Sequence, residues 1–117
     1  MKPDPDSYLP LAPATLHILL SLAEEPMHGY GIKQEVLRQS GGRYNLGPGT
    51  LYDNLQRLMK QRMVEEVAGP AGEESSRRRY YRLSQLGRGV LSQEIARLEE
   101  VVHEGRARLR ALKPRRA

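Results

Sequence analysis

Thr50, Asn54 and Arg57 follow one another at steps of four and three residues, the spacing that lines side chains up along one side of a helix. Their chemistry suits a duplex. An Asn amide can pair with an adenine edge, an Arg guanidinium with guanine or a phosphate, and a Thr can offer its hydroxyl to a phosphate or its methyl to thymine. Further on, Arg77, Arg78, Arg79 and Arg82 fall within a short stretch, and such a density of positive charge attracts an anionic backbone. Each set also has a plainer reading. A polar helix face can simply be solvated, and Arg78 or Arg79 can pair with Glu65 or Glu66 across a hairpin.

Covalent and metal chemistry have little to work with. The chain has no Cys, which removes thiol nucleophiles, thiolate zinc sites and disulfides and points to a reducing compartment. His17, His28 and His103 lie on different expected elements, and none has a carboxylate at the helical spacing of a known metal motif. Gly29-Tyr30-Gly31 lacks the third glycine and the preceding strand of a dinucleotide loop, and Pro48-Gly49-Thr50 lacks the Gly-Lys-Ser/Thr ending of a phosphate loop. No catalytic residue, metal ligand or cofactor is expected.

Several elements must position the polar residues. Residues 1–10 hold two Asp and three Pro and read as a mobile leader. Residues 12–23 are apolar on both faces of a helix, with Leu16, Leu19 and Leu20 on one and Leu11, Ile18 and Leu22 near the other. Such a helix should touch its own domain and something else. Residues 30–39 read as a short second helix with Ile32 and Val36 inward, closed by Ser40, Gly41 and Gly42. A third helix starts at Gly47-Pro48 and runs to about Arg62, because Gly is an acceptable cap and Pro fits the first helical position. Leu51, Leu55, Leu58, Met59 and Met63 form its apolar stripe, and Thr50, Asp53, Asn54, Arg57, Lys60 and Gln61 make up the rest.

Residues 63–68 and 77–83 read as two hairpin strands around a long tip at 69–76. On the second strand Tyr81 and Leu83 should point inward and Arg78 and Arg82 toward a phosphate backbone. Glu73 and Glu74 at the tip would repel that backbone, so the base of the hairpin should bind, not its tip. Ser84 can cap a last helix over 85–112, about 42 Å long, which is too long for so small a core. Leu91, Ile95, Leu98, Val102, Gly105, Leu109 and Leu112 alternate at steps of four and three along it, a heptad seam broken only by glycine. Leu11, Ile18 and Leu22 on the first helix, with Leu91, Ile95, Leu98, Val102 and Leu109 on the last, are the expected dimerisation residues.

At 117 residues the chain is one compact domain, mainly α with a small β-hairpin. The order of parts suits a winged helix-turn-helix over 11–83, a long C-terminal dimerisation helix over 84–112 and a basic tail over 113–117. Its net charge of +5 is unevenly spread. Residues 36–88 carry ten basic and five acidic groups and residues 104–117 carry six and one, whereas the segments before and between them are acidic. No apolar run approaches the roughly 18 residues of a membrane span, so a cytoplasmic protein is expected.

His28-Gly29-Tyr30-Gly31-Ile32, then Pro48-Gly49-Thr50-Leu51-Tyr52 with Leu55 and Arg57-Leu58, then Arg78-Arg79-Tyr80-Tyr81-Arg82-Leu83-Ser84 with Gly87 closely resemble the PadR family of bacterial transcriptional regulators. The resemblance spans about residues 11–112. It implies a winged helix-turn-helix homodimer, usually a repressor, with a single C-terminal helix for dimerisation. The family's recognition-helix pattern falls on Gly49, Thr50, Tyr52, Asn54 and Arg57, its second-helix start on His28 and Tyr30, and the basic strand of its wing on Arg78 and Arg79. Lys60 joins these as a DNA-contact candidate on the polar face of the third helix. Two positions depart from the pattern: Gly47 stands where a Ser cap is common, and Arg62 where a Gly often ends the recognition helix. The resemblance also implies that a small-molecule effector can bind near the dimer interface. With no Trp or Phe, a Trp-type aromatic sandwich is not expected there, and Tyr8, Tyr44 and the Met residues remain.

Two functions are compatible with these observations. In one, a homodimer reads a palindromic operator in double-stranded DNA, with half-sites about 10 base pairs apart or a multiple of that. In the other, a winged-helix adaptor uses its long helix to bind a protein and has no specific DNA recognition.

Overall fold

The structure, a computed structural model, describes residues 3–70 and 78–111. The hairpin tip with Glu73 and Glu74, Arg77, Leu112 and the basic tail therefore lie outside the described residues. Four helices and a small antiparallel sheet follow in the order α1 (Pro13–Ser21), β1 (Met27–His28), α2 (Gly29–Gln39), α3 (Pro48–Lys60), β2 (Val64–Val67), β3 (Tyr80–Leu83) and α4 (Gln85–Ala111). The sheet order is β1-β3-β2, so β3 is central. β1 is only two residues long, too short for alternation to reveal, and it pairs Met27 with Tyr81 and His28 with Tyr80. That pairing places the start of α2 beside the wing.

The three expected short helices form for the expected reasons. Pro48 begins α3 behind Gly47, and Leu51, Leu55 and Leu58 are buried along its inner face. Each such side chain contributes roughly 1.5–3 kcal/mol by leaving water. α2 and α3 end alike: Gly42 N–H donates to Leu37 carbonyl after α2, and Met63 N–H donates to Leu58 carbonyl after α3. Both closures need a left-handed residue. Gly41 supplies it at φ 63°, whereas α3 uses Arg62 at φ 65°, so the Arg in the usual glycine position keeps the glycine's conformation. Ser84 caps α4 by accepting from Gly87 N–H at 3.0 Å, while its own hydroxyl donates to Arg62 carbonyl at 2.6 Å. The end of α3 and the start of α4 are thereby tied together.

Two expectations from the sequence are corrected. The leader is not free from residue 4 onward: Asp4 caps a single 3-10 turn, Pro5–Tyr8, which lies against α4. Leu11 N–H then donates to Glu94 on α4 at 2.9 Å. The Asp-Pro-Asp run holds a cap and a helix-starting proline, which outweigh its polar composition. The second correction concerns Ile18 and Leu22, which were expected at a dimer interface but are fully covered within their own chain. α1 is apolar on both faces because it packs against α2 on one side and α4 on another. Leu91, expected at the same interface, is also largely absorbed into this core.

Candidate nucleic-acid interface

α3 turns Leu51, Asn54, Leu55 and Leu58 inward, and Gly49, Thr50, Tyr52, Asp53, Gln56, Arg57 and Lys60 are exposed. Asn54 departs from the expected outward position. It is only 8% exposed, its amide N–H donates to Thr50 carbonyl at 2.9 Å, and its oxygen accepts from Thr15 hydroxyl at 3.1 Å. It stands one turn after Thr50 and one before Leu58, and with its amide engaged by Thr50 and Thr15 it is turned away from the exposed face of α3. The outward side chain with equivalent hydrogen-bonding chemistry is Gln56, which the sequence reading did not single out. Its position four after Tyr52 and four before Lys60 was the available signal.

Arg57 remains exposed, and its Nη2 donates to Asn54 Oδ1 at 2.6 Å and more distantly to Thr15 Oγ1 at 3.4 Å. Gly49 and Thr50 occupy the first turn of α3, where Gly47, Gly49 and the lack of a side-chain cap leave backbone N–H groups uncovered. A helix N-terminus in that condition favours an anion.

A second group converges from separate elements. His28 and Tyr30 at the start of α2, Tyr52 on α3, and Arg78 and Arg79 before β3 line one shallow depression. Tyr30 and Tyr52 are 64% and 46% exposed, with Tyr30 hydroxyl accepting from Gln34 at 2.8 Å. Gly29 makes the arrangement possible: a Cβ there would meet Tyr52 Oη at 2.7 Å. His28 caps α2 by accepting from Gly31 N–H at Nδ1, 3.1 Å away. With Nδ1 accepting, the ring proton sits on Nε2, and Arg78 Nη1 lies 3.0 Å from that atom. Two donors face each other there. Burial, followed by the Arg78 charge, holds the His28 pKa below its ordinary 6.5, as the cap requires.

The wing arginines differ in what already engages them. Arg79 pairs with Glu66 at 3.8 Å, a cross-hairpin pair that the sequence allowed as an alternative, and Arg82 pairs with Glu65 at 3.0 Å, which it did not anticipate. All four side chains are well exposed, so each pair is worth under about 1 kcal/mol and opens readily for a competing phosphate. Arg78 has no carboxylate partner among the described residues, which leaves its guanidinium the least committed of the three. Tyr81 and Leu83 point inward as expected. Tyr8 and Tyr44 are half-buried against the core, Tyr44 tilted on His17 at 5.3 Å, so neither is a free platform for an effector.

On α4, Ile95, Val101, Val102 and Leu109 are exposed and Leu98 is half-buried. No helix of the described residues is long and apolar enough to cross a membrane.

A helix-turn-helix with a basic wing, both presenting polar side chains on exposed surface, defines the winged-helix class of DNA-binding regulators. Residues 18–93 match the model of the PadR-like family of transcriptional regulators, and the chain belongs to that family. The chain is 34% identical over 93 residues to the transcriptional regulator Rv3488 of Mycobacterium tuberculosis, covering 80% of this chain and 82% of that one. A transcriptional regulator from Clostridium thermocellum superposes with a TM-score of 0.62 at 27% identity, covering 85% and 93% of the two chains. The Bacillus subtilis PadR in complex with operator DNA shares the fold at a TM-score of 0.58 and 18% identity, over 69% of this chain and 45% of that one. The family and the fold are those of transcriptional regulators, not of enzymes.

Proposed function

We propose that this regulator is a repressor that binds a palindromic operator as a homodimer. The observation that carries the reading is the convergence of Tyr30, Tyr52, Arg78 and Arg79 from three elements beside the exposed face of α3. On DNA, Gln56 reads a base edge in the major groove, Arg57 reads a base or holds a phosphate from the flank of the same helix, and Lys60 holds a phosphate. Gly49 and Thr50 present the α3 N-terminus to a phosphate, and Tyr30, Tyr52, Arg78 and Arg79 grip the adjoining backbone. A Bacillus subtilis protein of the same fold was solved in complex with operator DNA, which supports DNA as the partner.

Exposed Ile95, Val102 and Leu109, with half-buried Leu98, form the seam through which α4 meets a second copy. Dimerisation doubles the recognition helices and makes the preferred site symmetric. The test is selection of bound sequences from random duplex DNA at two salt concentrations, with sedimentation of the free protein. A palindromic consensus that persists at the higher salt, bound by a dimer, is expected. Unrelated sequences, with binding lost by about 200 mM salt, would leave only non-specific attraction and favour the protein-binding adaptor.

A further inference from the structure

We infer that Thr15 and Asn54 are positioning residues that preset the Arg57 guanidinium for DNA. The inference rests on the reading of Arg57 as a DNA contact and adds how the fold prepares that contact. Asn54 is held on both sides. Its N–H donates to Thr50 carbonyl at 2.9 Å, which fixes the orientation of the amide and leaves Oδ1 free to accept from other side chains. That oxygen accepts from Thr15 hydroxyl at 3.1 Å and from Arg57 Nη2 at 2.6 Å. Arg57 Nη2 also lies 3.4 Å from Thr15 Oγ1, so α1 and α3 hold the same edge of the guanidinium. Among the described residues its other N–H groups have no acceptor, and Arg has five in a rigid fork.

The choice of acceptor matters more than the hydrogen bond itself. Elsewhere in the described residues, Arg38, Arg97 and Arg108 are each engaged by a carboxylate three or four residues earlier, Glu35, Glu94 and Glu104. Asn54 and Arg57 have the three-residue spacing with a neutral amide in the acidic position, and Asp53, four residues before Arg57, forms no ion pair with it among the described residues. An amide restricts the side chain without cancelling its charge. Arg57 thus loses less freedom on binding than a solvated Arg would, yet keeps a whole charge for a phosphate or a guanine edge.

The experiment is equilibrium binding to the selected duplex over a salt series, with thermal melting of each variant as a check of folding. Arg57→Ala should weaken binding at least tenfold and lower the salt slope by about one. Asn54→Asp preserves shape but supplies the missing carboxylate. It should bind about tenfold more weakly with the slope again lower by about one, while melting stays cooperative at a somewhat lower temperature, because a carboxylate cannot donate to Thr50 carbonyl as the amide does. Thr15→Val should weaken binding about threefold in the native background and by nothing measurable in Arg57→Ala, the mark of an effect transmitted through Arg57. If Asn54→Asp keeps the native slope, or Thr15→Val costs the same with and without Arg57, positioning is overturned while the DNA contact stands. An Arg57→Ala variant that binds like the native protein overturns the contact, and the positioning with it. Should Asn54→Asp fold poorly, the Thr15→Val cycle decides alone.

Discussion

Along α4, Gly87, Val90, Leu91 and Glu94 are buried, whereas from Glu99 to Ala111 every residue except Ala107 is exposed. The contrast is greatest at two glycines. A Cβ on Gly87 would sit 2.1 Å from Met63 carbonyl oxygen, but one on Gly105 would meet nothing within 4 Å. The first half of the helix is shaped by backbone that presses on it from the turn after α3. The second half leaves the domain as bare helix, with Leu109 72% exposed. A single helix thus completes the winged-helix core at one end and offers an unpartnered apolar seam at the other.

The contrast is broken most forcefully at Gly87. Gly87→Ala should cost about 3 kcal/mol, because backbone cannot yield as a side chain can, and denaturant unfolding would register it. A midpoint close to the native one would show that the two elements are not in tight contact. In the distal half the expected effect is on association. Val102→Glu combined with Leu109→Glu should leave the fold intact, yield monomer by sedimentation at micromolar concentration and weaken operator binding about a hundredfold, or roughly 2.7 kcal/mol. A variant that remains dimeric would place the interface elsewhere.

Glu94 offers a smaller effect with a pH signature. The side chain is 1% exposed and accepts from Arg97 through both oxygens, at 2.6 and 3.1 Å, as well as from Leu11 N–H. Glu94→Ala strands the Leu11 donor and should cost about 2 kcal/mol. The Arg97 hydrogen bonds, and then that of Leu11, hold the carboxyl below its ordinary 4.5 although burial opposes them. Since the folded value is the lower one, this stabilisation is complete above about pH 4.5 and disappears as pH falls through the folded value. Glu94→Gln should flatten that acid limb of stability against pH, and an unchanged limb would assign it to other carboxylates. Gly105→Ala should have the smallest effect and the opposite sign, a gain of up to about 1 kcal/mol from helix propensity. A loss there would show that something packs closely on the distal helix.

The elements were legible because their signals are local. Pro48 after Gly47, the Ser84 cap and the apolar stripe of α3 act within a turn or two of their own positions. The order of helices and hairpin, with the motifs around His28, Thr50 and Arg78, sufficed to suggest the family to which the chain belongs. β1 escaped notice because two residues carry no period, and the Pro5–Tyr8 turn because polar composition hid an Asp-Pro cap. Asn54 was assigned outward because helical spacing from Thr50 and Arg57 says which residues share a side, but not how far round the neighbouring α1 reaches. Gln56, at the centre of the exposed face, was missed for the same reason.

What the sequence determined by itself was the set of elements, their order and the stock of polar and basic side chains, since propensity, capping and apolar period are short-range properties. Only the tertiary structure decided which candidates are spent inside the chain and which remain available. Ile18 and Leu22 went to the core, Asn54 turned to Thr15 and Arg57, and Tyr30, Tyr52, Arg78 and Arg79 were brought to one depression. Burial and convergence depend on residues distant in sequence sharing the same space, and that is settled only when the helices and the wing pack.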